Sequence, residues 1–76
     1  MTFDPVAFAT AARAETDEDL RRLALEGLAA CLAGNRMDAI EFLGTFLHIT
    51  DHRDTPAEGS DRARLVACVE SAFASL

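Results

Sequence analysis

The chain has 76 residues, which allows one domain, and a domain of this size buries only about 60% of its unfolded surface. With a net charge of −6, a pI near 4.6 and no lysine, it lacks the basic stripe that binds nucleic acid through phosphates. No run approaches the roughly 18 uncharged apolar residues of a membrane span, and MTFDPVAFAT has neither the basic region nor the apolar run of a secretory leader, so a cytoplasmic protein is expected.

Both prolines fall where helices open, and no strand-like alternation or hairpin dipeptide occurs. Asp4 caps a first helix over about residues 5–14, with Pro5 at its first position and Phe3 and Phe8 placed as a hydrophobic staple. This helix is short and alanine-rich, marginal alone, and must dock through Phe8, Ala11 and Ala12. A second helix is expected over 17–33. Thr16 caps it, Asp19 takes the capping-box position, and Asp17, Glu18 and Asp19 complement the helix dipole. Gly34 stops it in the left-handed conformation.

Leu20, Leu23, Ala24, Gly27, Leu28 and Cys31 form the main stripe of the second helix, which Leu25 and Leu32 widen to roughly 200°. Asn35 then caps a third helix over 36–50, leaving a tight Gly-Asn turn and hence an αα-hairpin. In this third helix Ile49, Phe42, Phe46, Ala39, Leu43, Leu47 and Ile40 cover about half the circumference, where a surface helix needs an apolar stripe of little over 100°. A fourth helix is expected over 56–75. Thr55 and Glu58 supply a capping box and Pro56 the first helical residue, although Gly59 sits badly there and Ser60 is a rival start. Its stripe of Leu65, Val66, Val69, Ala72, Phe73 and Leu76 is one-sided.

The expected fold is an all-α single helical domain spanning 1–76, a small bundle of three main helices plus a short N-terminal one, centred on the hairpin. Surplus apolar surface on both hairpin arms predicts a homodimer with contacts at Leu25, Leu32, Phe42, Phe46 and Ile49, two-fold dimers being the commonest oligomers. The rival is a monomer with the third helix wrapped by the other three.

Chemistry-bearing residues are few. His48 and His52 stand four apart and share a helix face, which makes them candidate metal ligands, but zinc takes three or four protein ligands and no third is suitably spaced. The plain reading is a solvated strip near a helix end. Cys31 and Cys68 read as buried free thiols, with a bridge between packed helices as the alternative. No cysteine–histidine pair, serine elbow or phosphate-binding glycine loop is visible. So short a chain leaves little room for a pocket of a few hundred Å³, and no enzyme and no cofactor are expected. The hairpin lacks the polar recognition residues of a helix-turn-helix, Arg36 being alone. The acidic run Glu15, Asp17, Glu18 and Asp19 reads first as a helix start and second as a patch for a basic partner surface.

The function expected from these features is that of a small non-catalytic regulatory or adaptor protein, which binds a partner protein, and itself, through an apolar helical face with an acidic rim. The alternatives are a metal-binding or metal-sensing module on His48 and His52, and a structural subunit of a larger assembly. The alanine- and arginine-rich, lysine-free composition is that of a GC-rich bacterial or phage genome.

Overall fold

A computed structural model describes residues 3–53 and 55–76. Met1 and Thr2, part of the N-terminal stretch read above, and Asp54, part of the polar segment before the last helix, lie outside the described residues. Four helices occur in the order α1 (Pro5–Ala14), α2 (Glu18–Leu32), α3 (Arg36–Asp51) and α4 (Asp61–Ala74), with no strand among the described residues.

The helix ends follow local chemistry. Asp4 accepts hydrogen bonds from the Val6 and Ala7 amides and opens α1. Phe3 and Phe8 meet with ring centroids 6.1 Å apart, closing the staple. At the start of α2 the cap is Asp17 and not Thr16: its carboxylate accepts from the Asp19 and Leu20 amides at 3.0 and 3.2 Å. A carboxylate is a better partner than a hydroxyl for the positive end of a helix. The turn after α2 is a Schellman motif. The Asn35 amide donates to the Ala30 carbonyl, the Gly34 amide to that of Cys31, and Gly34 has φ +75°. Asn35 then caps α3 by accepting from the Asp38 amide and donating to the Asp38 carboxylate at 2.7 Å.

The expected start of α4 at residue 56 is corrected to Asp61, capped by Ser60, whose hydroxyl accepts from the Ala63 amide. Gly59 has φ +79°, outside the helical region, and a turn closed by the Ser60 amide on the Ala57 carbonyl occupies 57–60.

The bundle is cyclic. α2 packs most extensively on α3, and α3 also packs on α4, α4 on α1 and α1 on α2, whereas the backbones of α2 and α4 barely approach and those of α1 and α3 stay apart across the shared core. The core is Phe8, Ala11, Ala12, Leu20, Ala24, Leu28, Leu43, Phe46, Leu65, Val69 and Ala72. This arrangement accounts for most of the apolar surplus of the hairpin, because each arm has two neighbours. α2 needs one face for α3 and another for α1; α3 needs one for α2 and another for α4. Of the three helices that the rival monomer wraps around the third, α2 and α4 approach α3 closely through the backbone.

Where α2 meets α3 the backbones come close. A Cβ built at Gly27 would stand 2.8 Å from Leu43 Cγ and 3.4 Å from Phe42 Cβ, so only glycine fits against the fully buried Leu43.

Candidate functional site

Antiparallel connection places the C-terminus of α1, the N-terminus of α2, the C-terminus of α3 and the N-terminus of α4 at one end of the bundle. Ion pairs across the sequence mark that end. Glu15 is 4% exposed, although it opens the acidic run expected as a patch. Both of its oxygens accept from the Arg62 guanidinium, one from Nη2 at 2.8 Å, and one also accepts from the Asp17 amide at 2.9 Å. Burial pushes the Glu15 carboxyl up, but the Arg62 hydrogen bond and the Asp17 and Thr16 amides outweigh it and hold it below its ordinary value.

Asp17 is likewise held low, first by Arg53, which donates to it at 2.9 Å, and then by the Leu20 amide. Asp19 pairs with Arg22, Asp61 with Arg64, and Arg21 donates to the Glu15 carbonyl. The expected acidic patch is therefore corrected: Glu15 is structural, Asp17 and Asp19 are matched by arginines, and Glu18 alone of the four is exposed and in no ion pair. The sequence held a signal for this, since Glu15 continues the buried stripe of α1 at seven residues from Phe8 and four from Ala11.

The opposite end has the reverse character. Among the described residues, the five large exposed apolar side chains all lie in that half: Val6 (75% exposed) at the start of α1, Leu32 (56%) at the end of α2, Met37 (82%) and Ile40 (38%) at the start of α3, and Phe73 (38%) near the end of α4. Six of the seven arginines lie towards the ion-paired end. The seventh, Arg36, donates to the Leu76 carbonyl at 3.3 Å and ties the start of α3 to the end of α4.

Two surfaces divide these apolar side chains. Between α1 and α2 runs an open groove of about 430 Å³, lined by Val6, Ala9, Leu25, Leu28 and Leu32, with Thr10 and Arg13 as its polar side chains. So short a chain is expected to leave little room for a pocket of a few hundred Å³, and this space is an open groove that arises because the short α1 covers only part of the apolar arc of α2. Between α3 and α4, Met37 and Ile40 stand one turn apart, and the Phe73 ring lies over Gly44, 3.6 Å from where a Cβ would be.

The five residues expected at an interface separate. Leu25 and Leu32 line the α1–α2 groove. Phe42 and Ile49 are partly buried, and Ile49 packs against the core. Phe46 is corrected outright: it is fully buried within the chain's own core, because α3 turns that face towards its neighbours. Met37, Ile40 and Phe73 were missed, since a stripe drawn on a helical wheel does not say which of its edges the bundle leaves open.

His48 and His52 are exposed on the outer face of α3 with ring centroids 4.5 Å apart, edge to face. No group of three or more metal-ligating side chains occurs among the described residues. Cys31 and Cys68 are free and partly buried, short of the burial expected. Burial pushes both thiols up, and the charge of Asp4 raises Cys68 further, so neither is an activated nucleophile. No helix among the described residues is long and apolar enough to cross a membrane. Comparison with protein-family models, curated proteins and solved structures finds no match to the chain.

Proposed function

We propose that the chain is a small non-catalytic regulatory or adaptor protein that works by binding other proteins through the apolar end of its bundle. One observation carries this reading. Among the described residues, every large apolar side chain that is exposed lies in the half of the molecule from which all arginines but Arg36 are absent. Apolar surface fringed by one sign of charge is how a protein surface combines adhesion with selection of a partner. The groove between α1 and α2 supports the non-catalytic part, for its lining holds no histidine, cysteine or carboxylate that would act as base or nucleophile.

Self-association belongs to the same proposal and uses the α1–α2 groove, where Leu25 and Leu32 remain reachable. Sedimentation equilibrium over the micromolar range tests it: the wild-type chain is expected to dimerise and Leu32→Glu to be monomeric and folded. A monomer throughout refutes self-association. For the binding reading, cross-linked partners from the native host are expected to be lost from folded Leu32→Glu or Met37→Glu chains and retained by Glu58→Arg. Capture indifferent to all three substitutions refutes it.

A further inference from the structure

We propose that the α3–α4 face built from Met37, Ile40 and Phe73 is a docking groove for a basic amphipathic helix of another protein; this rests on the protein-binding reading above. The apolar floor is continuous with the helix geometry. Met37, Ile40 and Gly44 follow one another at spacings of three and four on α3, and the Phe73 ring of α4 closes over Gly44.

The charge around this floor identifies the occupant. Glu41 lies four residues from Met37 on α3, and Glu70 three residues from Phe73 on α4, so each carboxylate shares a helix face with a floor residue. Both are exposed, and neither is in an ion pair among the described residues. At the other end Glu15, Asp17, Asp19 and Asp61 are each matched by an arginine, whereas Glu18, Asp51 and Glu58 are in no ion pair but lie in the half without a large exposed apolar side chain among the described residues. Among the described residues the arginine near the floor, Arg36, is engaged with the Leu76 carbonyl. An exposed apolar floor flanked by unmatched carboxylates on both helices suits a helix with an apolar stripe flanked by Lys or Arg. A second copy fits poorly, since a two-fold contact would set this acidic-rimmed patch, with Glu41 and Glu70, against an identical acidic-rimmed patch.

The test is a fluorescence-anisotropy titration with a labelled Leu/Lys amphipathic peptide about 18 residues long, which as a helix spans about 27 Å. Binding is expected to weaken about tenfold or more in Met37→Ser/Phe73→Ser, and comparably in Glu41→Gln/Glu70→Gln. Glu18→Gln/Glu58→Gln removes the same charge from the ion-paired end and is expected to change affinity less than about twofold. Circular dichroism establishes that each variant is folded.

Equal weakening by both glutamine pairs reduces the effect to net charge and overturns the proposal, as does the absence of any binding. Binding lost with Val6→Ser/Leu32→Ser and kept with Met37→Ser/Phe73→Ser overturns the assignment to this face, while leaving the protein-binding reading intact. A dimer in sedimentation that Phe73→Ser dissociates puts a second copy on the face and also overturns it.

Discussion

Replacing Gly27 with alanine sets two effects of opposite sign against each other, and the structure decides between them. Alanine is the better helix former, by about 1 kcal/mol at a helix interior. Against this, the new methyl would stand 2.8 Å from Leu43 Cγ and 3.4 Å from Phe42 Cβ, where carbon atoms prefer about 3.5–4.0 Å. Leu43 is fully buried, and its branch carbon as well as a terminal methyl is too close, so a rotamer change alone does not relieve the clash. Overpacking a core costs about 1–3 kcal/mol, and this geometry belongs near the upper figure. The net loss is about 2 kcal/mol, which for a domain of this size lowers the melting temperature by roughly 8–15 °C.

Gly44, on α3 where it faces α4, supplies the control. Its Cβ would meet Phe73 Cε2 at 3.6 Å, an ordinary contact, so Gly44→Ala keeps the helix-propensity gain and is expected to raise the melting temperature by about 5 °C. The decisive measurement is a double-mutant cycle followed by circular dichroism. In a Leu43→Ala background the obstruction is gone, so Gly27→Ala should become neutral or stabilising, a coupling of at least about 1 kcal/mol. A Gly27→Ala chain that melts at or above the wild type, or a cycle without coupling, would refute the close approach of α2 and α3.

Arg62→Met leaves the Glu15 carboxylate buried without its partner and is expected to cost about 3 kcal/mol by urea unfolding, more than Glu15→Gln, which removes the buried charge itself. Because the folded-state pKa values of Glu15 and Asp17 are depressed, their contribution is fully present above the ordinary carboxylate range and is lost as pH falls through the lowered folded values. Stability should therefore decline towards acid, and Glu15→Gln should flatten that decline; an unchanged profile would count against the ion pair. Gly34→Ala is expected to cost about 1 kcal/mol in the same assay, since its φ of +75° is strained for a residue with a Cβ although space around it is open. Zinc at micromolar concentration should leave the melting temperature unchanged, as two imidazoles on one helix leave half of a tetrahedral shell to water. A zinc-dependent rise abolished by His52→Ala would overturn this and favour the metal-binding alternative.

How much of the molecule was legible in advance depended on whether the physics was local. Asp4, Pro5, Gly34 and Asn35 set helix ends through bonds spanning a few residues, so α1 and the hairpin turn could be read from the chain. The same holds for the inward face of α1, where Phe8, Ala11 and Ala12 are buried as their spacing requires. At the starts of α2 and α4 two local solutions competed. Asp17 displaced Thr16 and Ser60 displaced Thr55, through choices between neighbouring caps worth only about 1 kcal/mol.

The width of the apolar arcs on α2 and α3 was equally plain in the sequence, but its meaning was not. A helix covered by two neighbours and a helix covered by another chain show the same surplus, and a cyclic four-helix packing assigned most of it to α1 and α4. That assignment buried Phe46 and left Leu32, Met37, Ile40 and Phe73 open. It also joined Glu15 to Arg62 across 47 residues, turning part of an expected docking patch into a structural ion pair. Composition, capping and periodicity thus determined an acidic, all-helical chain and most of its helix boundaries, because those depend on neighbours in sequence. Which apolar edge stays exposed, and which carboxylates stay unmatched beside it, depends on how four helices close around one core.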